Sequence, residues 1–111
     1  MTDSGILNSN QTPGIDVEGG IELGQIRPGI ILEVHTRNST YTVIPQASGQ
    51  LVWGHPEYCP QPTLVTGLGA TYENGHFREG YLAPGTRLSF PIDGRRVSTS
   101  RIVAIREKKK N

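Results

Sequence analysis

The sequence predicts an all-β domain, a small antiparallel barrel or compact sandwich of five to seven short strands. Apolar and β-branched residues alternate with polar ones through residues 30–36 and 39–44, the period of a half-buried strand. The 14 Gly and 8 Pro supply frequent turns, among them the hairpin dipeptides Asn74-Gly75 and Asp93-Gly94. No window of about 11 residues carries a sustained helical period.

Residues 1–24 form an acidic arm. Its aliphatic residues are interrupted by Gly5, Pro13, Gly14, Gly19 and Gly20, so residues 1–20 are expected to be mobile. Ile15-Asp16-Val17 and Ile21-Glu22-Leu23 nevertheless alternate, and either can add a strand to a sheet edge, the domain's own or a neighbour's. The domain itself, residues 25–106, opens at the turn Arg27-Pro28-Gly29. Residues 30–36 read as a strand, and Arg37-Asn38 as the turn into a second strand, because Asn tolerates the positive φ of tight hairpins. A two-residue loop sets Val34 against Tyr41 and Leu32 against Val43, with Glu33, His35, Thr40 and Thr42 on the wetter face.

Leu51-Val52-Trp53 is a short apolar stretch that runs into a Pro-rich loop, residues 54–62. Residues 63–73 read as a strand with Leu64, Thr66 and Leu68 on one face, followed by the Asn74-Gly75 turn and residues 76–82. A last hairpin turns at Asp93-Gly94, which places Phe90 opposite Val97 and Leu88 opposite Thr99. Its second strand continues through Ile102, Val103 and Ile105 to a basic tail, residues 107–111. The expected core is Leu32, Val34, Tyr41, Val43, Leu88, Phe90 and Val97, and the arrangement is similar to the Src-homology-3-type barrels.

At 111 residues the chain has single-domain length. A folded part of roughly 85 residues buries only about 60–65% of the surface its unfolded chain exposes, so a deep catalytic cavity would consume much of the core. Binding at a surface groove, or through oligomerisation, is easier to house. Cys59 is the only cysteine and cannot form an internal disulfide. The N-terminus lacks the basic start and apolar run of a secretory signal, which makes a reducing cytoplasmic setting the expectation. The longest aliphatic run, Ile30-Ile31-Leu32, excludes a helical membrane span. Charge is unevenly spread. Asp3, Asp16, Glu18 and Glu22 precede any basic residue, while Arg95, Arg96, Arg101, Arg106, Lys108, Lys109 and Lys110 crowd the C-terminal end. That end could attract nucleic acid or another anion by charge alone, although few aromatics interleave with the cations.

The densest chemistry lies in residues 53–62, where Trp53, His55, Glu57, Tyr58 and Cys59 share one loop with Pro56, Pro60 and Pro62. His55 and Glu57 imitate half of a zinc deaminase signature, but no second cysteine supplies the remaining thiolate. A zinc site of another kind would take His55 and Cys59 and complete itself with His35 or His76. A cysteine nucleophile would need a cationic neighbour and an oxyanion hole, for which the sequence shows no source. Gly67-Leu68-Gly69-Ala70 lacks the remaining glycine and the helix of a phosphate loop.

The second distinctive string is the hairpin tip, with Arg37 and Asn38 at its centre. The stretch from Thr36 to Tyr41 reads T-R-N-S-T-Y, and His55 to Pro60 reads H-P-E-Y-C-P. With both motifs the chain resembles uncharacterised small bacterial β-domain proteins over about residues 28–105. The resemblance implies an all-β fold and no particular activity. The functional expectation is therefore a non-catalytic binding or assembly module for a protein partner or a second copy, recognising through Arg37, Asn38, Trp53, His55, Glu57, Tyr58 and Cys59. The alternatives are a metal or cysteine-dependent site at His55 and Cys59, and electrostatic nucleic-acid binding at the basic end.

Overall fold

Val34 stands directly opposite Tyr41 and Leu32 opposite Val43, and all four side chains are buried. This is the register of a two-residue hairpin loop, and the remaining strands extend the frame it sets. The computed structural model describes residues 16–56 and 59–109. Within them are ten strands: β1 (Ile21–Glu22), β2 (Ile30–Thr36), β3 (Thr40–Gln46), β4 (Gly49–Trp53), β5 (Thr63–Val65), β6 (Gly69–Thr71), β7 (Phe77–Glu79), β8 (Tyr81–Leu82), β9 (Arg87–Ile92) and β10 (Arg95–Lys109). Eight form one antiparallel sheet in the order β5-β4-β3-β2-β10-β9-β6-β7, and β1 pairs with β8 in a second. The only helical element among the described residues is a 3₁₀ turn, Leu23–Gln25, and no helix is long and apolar enough to cross a membrane.

The strand count exceeds the expected five to seven because half of the strands are two or three residues long. A segment that short contains at most one alternation, so it has no period to detect. The same effect splits the expected strand at residues 63–73. A turn at Thr66 and Gly67 separates β5 from β6, leaving Leu64 52% exposed while Leu68 is fully buried. Leu64 and Leu68 therefore do not share a face.

β10 joins the two halves of the larger sheet. Its first part pairs with β9 and its second with β2, and a register irregularity interrupts each pairing, between Ser98 and Arg101 and between Ile102 and Ala104. Phe90 faces Val97 as expected, but the first irregularity removes the expected pairing of Leu88 with Thr99. The Leu88 N–H instead donates to Thr99 Oγ1 at 3.2 Å. The strand also runs on into the basic end, with Lys108 opposite Ile31 and Lys109 opposite Ile30. A charged residue is tolerated there because Lys108 Nζ reaches Glu33 Oε2 at 2.9 Å on the sheet surface.

Leu32, Val34, Tyr41, Val43, Leu88 and Phe90 are all in the core, where Tyr41 meets Phe90 edge to face. Val97 is only partly buried and packs at the core's margin. The core also takes in Val52, Cys59, Val65, Leu68, Leu82 and Ile102. On the opposite side of the sheet, Ile44 pairs with Leu51 and Leu51 with Leu64, giving an apolar row that ends in the exposed Leu64.

Residues 1–15, with most of the arm expected to be mobile, lie outside the described residues. Residues 16–23 are laid along the domain. Ile21 pairs with Leu82, Leu23 is buried, and the Val17 N–H donates to Tyr81 Oη at 2.6 Å. Arg78 binds Asp16 at 2.7 Å, contacts Glu22, and spreads over the Tyr81 ring at 3.8 Å. Of the two alternating segments, the one containing Ile21 and Glu22 forms a strand, but it pairs only with β8 in a separate two-stranded sheet and does not extend an edge of the larger one.

Candidate functional site

The two distinctive strings of the sequence meet in space. A glycine at the end of β4 brings them together. Gly54 has φ 141°, and a Cβ there would run into the Thr40 carbonyl oxygen and stand 3.0 Å from Tyr41 Cα. Only a residue without a side chain lets the loop lie this close to β3. The loop then doubles back, the Gly54 N–H donating to the Cys59 carbonyl and the Cys59 N–H to the His55 carbonyl, each at 2.9 Å. His55 is thereby set beside Tyr41, the ring planes 14° apart and the centroids separated by 6.4 Å.

The hairpin tip is locked independently. Thr36 Oγ1 donates to the Ser39 carbonyl at 2.8 Å and accepts the Ser39 N–H at 3.0 Å. Asn38 does not use the positive φ expected of it, since Asp93 is the only non-glycine residue with positive φ among the described residues. The tip is held from outside instead. The Arg37 N–H donates to the Arg101 carbonyl at 3.0 Å and the Asn38 N–H to Ser100 Oγ at 3.1 Å, both at the irregular stretch of β10.

Between these parts runs a groove of about 170 Å³. It is lined by Thr36, Asn38, Ser39 and Tyr41 from the hairpin, by Val97 to Ser100 from β10, and by His55. Hydroxyls dominate the lining. Several are already engaged: Ser98 Oγ lies 2.8 Å from Ser89 Oγ, and Thr99 Oγ1 donates to the Ser100 carbonyl at 2.6 Å. On the far side of the Asn38 and Ser100 pair is a second cavity of about 280 Å³, lined by Arg37, Asn38, Arg87, Ser100 and Arg101. A larger cleft of about 460 Å³ beneath residues 16–18 is lined by Asp16, Glu18 and Glu73 and has the opposite charge.

Three of the expected site residues, Asn38, His55 and Arg37, therefore fall on these adjoining cavities. Trp53 does not line them. It sits half-buried at the end of β4 opposite Thr42. Cys59 is fully buried in the core, and that burial pushes its thiol above the usual range, away from the thiolate a nucleophile requires. Glu57 and Tyr58 lie outside the described residues. Ser98, Thr99, Ser100 and Arg87 were missed by sequence reasoning, which assigned residues 98–100 to regular strand. A run of three hydroxyl residues interrupting the alternation of β10 was the available sign.

For zinc, His55 and Cys59 oppose each other across an isolated bridge but offer two donors where a closed site takes four. The other histidines are elsewhere. His35 Nε2 is 2.9 Å from Glu33 Oε1 on the sheet surface, and His76 sits near Tyr72 at the turn between β6 and β7. Among the described residues no group of three or more His, Cys, Asp or Glu side chains could hold a metal ion. Comparison of the chain with protein-family models, with curated proteins and with solved structures finds no match.

Proposed function

We propose that this chain is a non-catalytic binding module whose recognition surface is the groove between the β2–β3 hairpin tip, His55 and residues 97–100. The observation carrying this reading is that the tip and the loop, separate in sequence, are each braced by backbone hydrogen bonds and wall the same hydroxyl-lined groove. Loops and tips held on a rigid sheet are where binding residues concentrate, and a surface fixed before binding loses little entropy on engagement. The buried thiol of Cys59 weighs against a cysteine-dependent activity. Within this reading the fold is a small barrel of the Src-homology-3 type in a cytoplasmic protein, related to small bacterial β-domain proteins through its Thr36–Tyr41 and His55–Pro60 motifs.

The test is amide-resolved NMR of the full chain titrated with a panel of nucleosides, sugars, short peptides and small anions. Perturbations clustered at residues 36–41, 55 and 97–100, and lost in a folded His55→Ala variant, support the groove. Turnover of any panel member, or perturbations confined to other surfaces, would sink it. A second reading, self-association, is favoured by the apolar row Ile44, Leu51 and Leu64. It expects a concentration-dependent mass in sedimentation that Leu64→Lys abolishes.

A further inference from the structure

Arg87 and Arg101 stand directly opposite each other on β9 and β10. Like charges in directly opposed cross-strand positions repel, and a sheet ordinarily avoids the pairing. Here a third arginine joins them, because the backbone bond from Arg37 N–H to the Arg101 carbonyl brings the hairpin tip alongside. All three line the 280 Å³ cavity with Asn38 and Ser100. Among the described residues one carboxylate answers them: Glu73, itself 76% exposed, reaches Arg101 at 2.9 Å. Arg87 is held by the Thr99 carbonyl at 3.0 Å, a contact that orients the guanidinium without neutralising it. Ser100 Oγ accepts the Asn38 N–H, which leaves the hydroxyl proton to be donated elsewhere.

We propose that this cavity is a binding site for a phosphate group carried by a small molecule. Guanidinium donors are fixed in a plane and match the oxygens of a phosphate in paired hydrogen bonds, and a doubly charged oxyanion relieves the repulsion that the fold builds in. A small ligand fits better than a polynucleotide, because the neighbouring cations do not form a track. Arg96 lies over the Phe77 ring at 4.0 Å and donates to the Gly67 carbonyl, while Lys108 is paired with Glu33. The exposed large hydrophobic residues among those described are Leu64 and Val103, so no exposed aromatic platform offers stacking for successive bases. The Glu73 carboxylate, which lines the neighbouring acidic cleft, already engages one guanidinium nitrogen of Arg101 and acts as an internal competitor that an entering phosphate displaces.

This assignment rests on the hairpin tip being a recognition surface, and its test separates the two claims. The full-length chain is titrated by NMR with inorganic phosphate, a nucleoside monophosphate, the matching nucleoside and a short single-stranded oligonucleotide. The expected result is saturable binding of phosphate and of the monophosphate, with shifts at residues 37, 38, 87, 100 and 101. Arg87→Ala or Arg101→Ala should weaken binding about tenfold or more. Glu73→Gln should strengthen it, and Arg95→Ala, at the start of β10 beside the Asp93-Gly94 turn, should leave it unchanged. Tighter binding by the monophosphate than by phosphate identifies a nucleotide-like source, and equal binding identifies the free ion. Equal losses in the Arg95 and Arg101 variants, or binding of the oligonucleotide alone, would overturn the proposal by showing general charge attraction. Nucleoside shifts at His55 without any phosphate response would overturn the phosphate site and leave the binding-module reading standing.

Discussion

The imidazole of His55 lies nearly parallel to the Tyr41 ring, although one belongs to a proline-rich loop and the other to a core strand. Tyr41 is buried and pinned against Phe90, so the position of His55 is referred directly to the core. The groove beside it is thereby tied to the sheet, and its residues should respond to changes made at some distance from them.

Gly54→Ala is the sharpest test of that coupling. The added methyl meets the Thr40 carbonyl, and the residue must also hold a φ of 141°. A loss of about 1–3 kcal/mol is expected in denaturant unfolding. Amide shifts should spread to both His55 and Ser39. A change confined to residues 53–55 would show the loop to be uncoupled from the hairpin.

Core depth differs sharply between two residues that face each other. Phe90→Ala should cost about 3–5 kcal/mol, because Phe90 is wholly buried and its loss leaves a cavity under Tyr41. Val97, partly buried at the groove, should cost under about 1.5 kcal/mol when truncated to alanine. Similar melting temperatures for the two variants would contradict this ranking.

Cys59 should be unreactive in the native protein. Its sulfur is buried and its thiol pushed up by that burial, so labelling by a disulfide reagent near pH 8 is expected only after denaturation. Stoichiometric labelling within seconds under native conditions would reopen the cysteine-dependent reading.

Glu33 should show an acid limb. A hydrogen bond from Lys108, and after it one from His35, hold its carboxyl below the ordinary value of 4.5. Since the folded value is depressed, the contribution to stability is present above the unfolded value and is lost as pH falls through the folded one. In Lys108→Met, the titration midpoint of Glu33, followed by carbon NMR, should move upward. No movement would mean that the 2.9 Å ion pair does not form in solution.

The central hairpin and the turn at Asp93-Gly94 were legible in the sequence because each depends on local information. Alternation assigns Leu32, Val34, Tyr41 and Val43 to one face, and a two-residue loop is the length that aligns them. Asp93 and Gly94 both take positive φ, 51° and 78°, which those residue types tolerate with little strain. The loop at residues 53–62 stood out by composition alone. Composition could not distinguish the buried Cys59 from the partly open His55, because burial depends on what packs against a residue.

The groove and the arginine cavity were decided by tertiary structure. β10 crosses from β9 to β2 with an irregularity at residues 98–101, and this break in register sets Arg87 against Arg101 and hands Ser100 to the hairpin tip. Register across strands distant in sequence follows from how the whole core packs, since a slip of one residue reverses every side chain. Residue type and period therefore determined the longer strands, β2, β3, β9 and the start of β10. The three-dimensional packing of Phe90, Tyr41 and their neighbours decided which exposed side chains became one site.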